Sequence, residues 1–224
     1  MSSSVQMKFL IKAVCMYLFY FLYSNIASSI VAALQITNTS YVSFIADLLF
    51  MVLIIFVYYK ELKEDFHELK EKFPAKRILK NVLIGVGIIF LLKIVMGMIT
   101  EIISPNVEVD SNTSAILDLL KTSPVYAVFK TMIFAVISEE ILFRKAVSTC
   151  IKNDWTFVIV GAVIYTFMNF VFNMGSTAIA DLIMYFLTAL ALNYIYIKND
   201  RNIYMVMIIK FIMQFLPFIV LFML

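Results

Sequence analysis

Apolar runs of similar length, separated by short polar stretches, repeat from one end of this chain to the other. Runs near 10–34, 41–59, 82–100, 124–147, 155–173, 178–198 and 203–223 are each long enough to cross a hydrocarbon core, which takes about 20 residues of helix. The pattern predicts an all-α fold, a polytopic transmembrane helical bundle of about seven spans.

The stretch from Lys60 to Lys80 follows a different rule. Leu62, Phe66, Leu69 and Phe73 recur at spacings of four, three and four, which puts an apolar stripe on one side of a charged helix that Pro74 ends. This segment, 60–81, is expected to lie along the cytoplasmic membrane surface as an interfacial helix. A solvated connector held by i,i+4 pairs such as Glu68 with Lys72 is the alternative. His67, the only histidine, falls here beside Glu64 and Glu71 and reads as a titratable surface residue rather than a metal ligand. Residues 1–123 form N-terminal transmembrane helices that include this segment, residues 124–224 form a second set, and the two make one integral domain.

Composition strengthens the membrane assignment. Of 224 residues 63% are hydrophobic and 15% charged, and the mean hydropathy is +0.96, well above a soluble domain. The connections on one side hold Lys8, Lys12, Lys60, Lys63, Lys70, Lys72, Lys76, Arg77, Lys80, Arg144, Lys145, Lys152, Lys198 and Arg201, and those on the other hold Lys121 alone. This asymmetry predicts a cytoplasmic N-terminus in a cell membrane. The net charge of +3 reflects these anchors and gives no reason to expect a nucleic-acid partner. The first run is too long for a cleaved signal and reads as an uncleaved helix. Cys15 and Cys150 both fall near the reducing side, so no disulfide is expected. The Lys, Ile, Asn and Phe bias looks bacterial, and the Asn-Thr-Ser triplets at Asn38 and Asn112 read as chance.

The chemistry lies in polar residues inside the spans. Glu139 and Glu140 stand side by side in an apolar run, with Arg144 four residues after the second. Charged groups at membrane depth are costly and mark function by default. Residues 140 and 144 share a helix face, so the guanidinium is expected to neutralise Glu140 and leave Glu139 free. Asn25, Asp47, Lys93, Lys130, Asn169, Asn173, Asp181, Asn193, Lys210 and Gln214 are the other polar positions in the runs. Lys130, Asp181 and Asp47 are placed to reach the outer surface, and Asn25 and Asn193 to bond a neighbouring helix. Lys93 is expected to face the bundle and meet an acid, Asp47 or a glutamate of the fourth span.

In these residues the sequence resembles the CAAX protease and bacteriocin-processing family of intramembrane proteases, also called Abi. Its Glu-Glu-x-x-x-Arg motif is matched by Glu139, Glu140 and Arg144. Its Phe-x-x-x-His motif corresponds to Tyr165 and Asn169, with the histidine replaced, and its His-x-x-x-Asn or Asp motif to Lys210 and Gln214, with both residue types lost. The resemblance spans roughly residues 124–218. It implies that Glu139 is the base that activates a water for attack on a peptide carbonyl, and that Asn169 and Lys210 stand where donors to the oxyanion belong.

The departures bear on activity. With no histidine in the core, zinc would find only carboxylate and amide oxygens, so no cofactor or metal is expected. Lys210, if it reaches Glu139, favours the ionised acid and weakens the base. Counted from the span ends at about 1.5 Å per residue, Lys210 and Glu139 lie ~10 Å deep and Asn169 ~20 Å deep. Three readings follow: a catalytically degenerate member that binds a membrane protein or peptide, an active glutamate-dependent endopeptidase, and a small transporter or bacteriocin-immunity factor.

Overall fold

The computed structural model describes residues 3–36, 39–103, 111–172 and 179–223. Among them the chain forms helices joined by short turns and no strand, in the order α1 (Ser3–Leu34), α2 (Thr39–Val57), α3 (Tyr59–Lys72), α4 (Ala75–Ile103), α5 (Ser111–Thr122) and α6 (Pro124–Val128). The chain runs from α6 straight into two π-helical stretches, π1 (Phe129–Glu139) and π2 (Ile141–Ala146), and then α7 (Val147–Cys150), α8 (Asp154–Phe172), α9 (Ile179–Lys198) and α10 (Ile203–Met223).

Each predicted span coincides with a helix. Met7–Leu34, Thr39–Val57, Ala75–Ile99 and Asp154–Val171 are long and apolar enough to cross a membrane, and Ile203–Phe218 is a shorter apolar helix. The run from α6 to α7 carries Lys130, Glu139, Glu140, Arg144 and Lys145, and α9 ends in Lys198 with Asn193 inside it, which lowers the hydropathy of both. The predicted site residues therefore stand on helices of a membrane-embedded bundle.

Local chemistry sets the helix boundaries. Pro74 separates α3 from α4, and Pro124 opens α6 at a position where its missing amide costs no helical bond. The Asn153 side chain caps α8 by accepting from the Thr156 amide at 2.9 Å. Asn202 accepts from the Tyr204 amide at 3.2 Å and so caps α10. Asp200 and Arg201, both at positive φ, make the tight turn between α9 and α10. Arg201 then spans that turn to the end of α7, donating to Ser148 O, Ile151 O and Lys152 O and pairing with Asp154 at 2.6 Å.

Packing centres on the helix that runs from α6 to α7. α1 and α2 lie against one side of it, α8 and α10 against the other, and α4 packs across α9 and α10. Phe50, Phe134, Phe143, Tyr20 and Tyr23 form an aromatic cluster where α1, α2 and the central helix meet. Such rings carry large apolar area in geometries favoured by their quadrupoles.

Three expectations need correction. The stripe on α3 faces the bundle as well as its surroundings: Leu62 and Phe73 are buried, and α3 packs on α10. Asp65 of α3 pairs with Lys145 at 2.5 Å and accepts the Ile203 amide at 3.1 Å, which gives α10 a second cap supplied from another helix. Asp47 does not reach the outer surface; it is buried and accepts from Tyr23 at 2.9 Å and Tyr126 at 2.8 Å, with Lys130 at 3.9 Å. Lys93 is exposed rather than turned into the bundle. Asn173 and Asn38 lie outside the described residues.

Candidate functional site

Arg144 has the largest volume among the fully buried side chains of the described residues, and Glu140 beside it is equally sealed, both at 0% exposure. One helical turn joins them: Arg144 Nη1 donates to Glu140 Oε1 at 2.7 Å. A guanidinium at this depth needs more than one acceptor. Its Nε donates to Asn193 Oδ1 at 3.2 Å, and the Asn193 amide in turn donates to Val158 O at 3.1 Å. Asn193 thus links Arg144 to α8 from its place on α9. The Tyr165 ring covers the guanidinium, 5.0 Å from centroid to Cζ, and packs edge-on to Phe143.

Lys210 reaches the same pair from α10. Its Nζ lies 2.8 Å from Glu139 Oε2, 2.9 Å from Glu140 Oε1 and 3.1 Å from Ala135 O, and the residue is 7% exposed. Two carboxylates and two cations form a cluster without net charge, which is the form in which buried ions are tolerated. The expectation of a free Glu139 is corrected: the ammonium occupies it. Its side chain is 22% exposed, the most open of the four.

The central helix is wound in π turns up to Glu139 and again from Ile141, with Glu140 between the two stretches. Such turns are rare and recur at functional sites. Ala135 O, a main-chain acceptor inside this stretch, takes a bond from the Lys210 side chain.

The structure brings Glu139, Glu140, Arg144 and Lys210 together. Tyr165, the aromatic of the second motif, is at the cluster, within electrostatic reach of all four charges. Asn169 stands one turn further along α8, half-buried, and its side-chain amide donates to Tyr165 O at 2.9 Å, a bond within its own helix. Gln214 is half-buried one turn beyond Lys210. Asn193, which the sequence marked only as a helix-bonding polar residue, does bond a neighbouring helix, and does so by holding the motif arginine. Gly161 carried no signal of its own, yet a Cβ there would stand 2.8 Å from Asn193 Nδ2. Its missing side chain makes room for the asparagine.

The donor set does not suit zinc. Three protein ligands are the usual minimum, with histidine nitrogen prominent among them. Among the described residues no group of three His, Cys, Asp or Glu side chains is arranged to hold a metal ion, and the Lys210 ammonium fills the space between the two carboxylates.

The family model described as Type II CAAX prenyl endopeptidase Rce1-like matches residues 121–216. No curated protein and no solved structure matches the chain. The matched segment holds Glu139, Glu140, Arg144, Asn169, Lys210 and Gln214 alike. From Lys121 to Leu216, then, the chain is similar to the Rce1-like type II CAAX prenyl endopeptidases.

Proposed function

We propose that this protein is a catalytically degenerate member of its family that works by binding a membrane protein or peptide, in a regulatory or bacteriocin-immunity role. The observation that carries the reading is the Lys210 ammonium between the two glutamates, 2.8 Å from one and 2.9 Å from the other. A general base must take a proton from water. For Glu139 to do so, the acid would give up its ion pair in a low-dielectric interior, where that pair is worth most. Stabilising the tetrahedral intermediate needs donors aimed at the new oxyanion. Lys210, the nearest donor, is already spent on two carboxylates and a carbonyl. In this reading the cluster ties α10 to the central helix, the N-terminus is cytoplasmic and the cell is bacterial, as the basic connections and the composition support.

A second reading, an active glutamate-dependent endopeptidase, draws on the 22% exposure of the Glu139 side chain. One experiment separates the two. Wild-type protein and Glu139→Gln are reconstituted in liposomes and given a farnesylated CAAX peptide, and new N-termini are compared in membranes that contain either form. The binding reading expects no product and no difference in N-termini. Cleavage by wild type that disappears in Glu139→Gln at equal protein level would establish the enzyme.

A further inference from the structure

Between them α4 and α9 enclose a groove of about 130 Å³ that none of the four charged residues of the cluster lines. Ile84, Gly85 and Ile88 line one wall and Tyr194 and Ile195 the other, with Asn81, Lys198 and Asn199 at one end. Pockets for drug-sized ligands run to about 300–1,000 Å³, so this one suits a length of acyl chain rather than a folded ligand. Its walls are open to the surroundings: Ile84 is 50% exposed and Tyr194 42%.

The polar groups at the closed end are already used. Asn81 Nδ2 donates to Asn199 Oδ1 at 2.7 Å, and Asn199 Nδ2 donates to Ile195 O at 2.8 Å. A peptide strand would find little there to bond. The charges at the same end are unbalanced. Arg77 is paired with Asp200 at 3.3 Å, whereas neither Lys80 nor Lys198 has an acid partner among the described residues. Lys80, Ile84 and Ile88 fall at i, i+4 and i+8, on one ridge of α4, and Lys198 follows Tyr194 by one turn on α9. Lys198 lines the groove beside Asn81 and Asn199, with its ammonium 5.4 Å from the Tyr194 ring centroid, and Lys80 stands outside the lining, next to Asn81 in sequence and one turn before Ile84.

We infer that this groove is a binding site for one anionic phospholipid, with an acyl chain along Ile84, Ile88 and Tyr194 and the phosphate between Lys80 and Lys198. Basic pockets between transmembrane helices are suited to anionic headgroups, and each lysine near a charged lipid is worth roughly a fivefold gain in affinity. The cluster at Glu139 takes no part, so the site stands whether or not the chain is an enzyme.

Native mass spectrometry of the full chain in detergent, with phosphatidylglycerol or phosphatidylcholine added, tests it. Wild type is expected to keep one phosphatidylglycerol in preference to phosphatidylcholine. Lys80→Gln with Lys198→Gln should lower that retention roughly 25-fold. Ile84→Trp, which fills the groove and keeps both lysines, should abolish the adduct at an unchanged unfolding temperature. Equal retention of the two lipids by wild type would overturn the site. So would retention by Ile84→Trp, which would mean that the lysines recruit lipid at the open surface, or a dimer of this chain dispersed by that substitution.

Discussion

Lys210 Nζ stands 2.8 Å from Glu139 Oε2, a bond between side chains 71 residues apart in sequence. It joins the one partly open acid of the site to α10, and through Glu140 it joins the Arg144 pair as well. Removing either partner leaves the cluster of two acids and two cations with one charge unbalanced.

Lys210→Met is therefore expected to lower stability by about 3–5 kcal/mol, the usual cost of orphaning one side of a buried ion pair. Adding Glu139→Gln to it should recover part of the loss, because the double variant removes the acid that the first left unpaired. Reversible unfolding in mixed micelles gives both values. Independent, additive effects would mean that the two side chains do not meet.

Arg144→Ala should be the more damaging change. The guanidinium bonds Glu140 and Asn193 and lies beneath Tyr165. Its loss leaves Glu140, at 0% exposure, to share the Lys210 ammonium with Glu139, so the buried cluster is one positive charge short; about 3–5 kcal/mol is expected here too, with the Tyr165 packing lost in addition. Thermal unfolding followed by circular dichroism should show a lower midpoint than for Lys210→Met.

How far the sequence discloses this site depends on how local each relationship is. The Glu140–Arg144 pair follows from a spacing of four on one helix, and the Lys210 position follows from a family motif. The engagement of Glu139 was not legible, because it depends on how α10 is rotated against the central helix. Counting residues from a span end gives the depth of Asp47 and not the direction of its side chain. Tyr23 and Tyr126 come from two other helices to meet it. Lys93 is the converse case: its mid-span position predicts an interior side chain, yet it is exposed. The helices themselves were legible because a run of about 20 apolar residues needs no partner to declare itself.

The Asp47 cluster gives an independent check. Tyr23 and Tyr126 both donate to one buried carboxylate, from α1 and from α6. Hydrogen bonds to a charged group contribute about 1.5–3 kcal/mol each. Tyr126→Phe should cost that much, and Tyr23→Phe on the same background should cost more than it does alone, since among the described residues Asp47 then keeps Lys130 at 3.9 Å. A double-mutant cycle on unfolding midpoints reads the difference.

Asp65 predicts a pH dependence. Burial raises its carboxyl above the usual range, opposed by the Lys145 ammonium and the Ile203 amide. An acid whose folded pKa is raised binds its proton more readily when folded than when unfolded. Its contribution is then fully present below the unfolded value and is lost as pH rises through the folded one. Wild type compared with Asp65→Asn should therefore gain relative stability on going from pH 7.5 to pH 4. A difference in unfolding midpoint that stays flat or shrinks over that range would contradict the burial argument.

Gly161 offers the most local test of how the motif arginine is seated. A methyl group added at Gly161 would lie 2.8 Å from Asn193 Nδ2 and 3.6 Å from its Cγ. Since Asn193 holds both Arg144 Nε and Val158 O, the side chain has little freedom to retreat. Gly161→Ala should cost about 1–3 kcal/mol by overpacking, offset by the roughly 1 kcal/mol that alanine gains over glycine in a helix interior, for a net loss of up to about 2 kcal/mol. Asn193→Ala alone should also destabilise, by leaving Arg144 short of an acceptor. Together they should cost less than their sum, because the smaller side chain at 193 makes room for the methyl group at 161. Unfolding midpoints of the four proteins measure the coupling, and strict additivity would mean that Gly161 serves something other than the seat of Asn193.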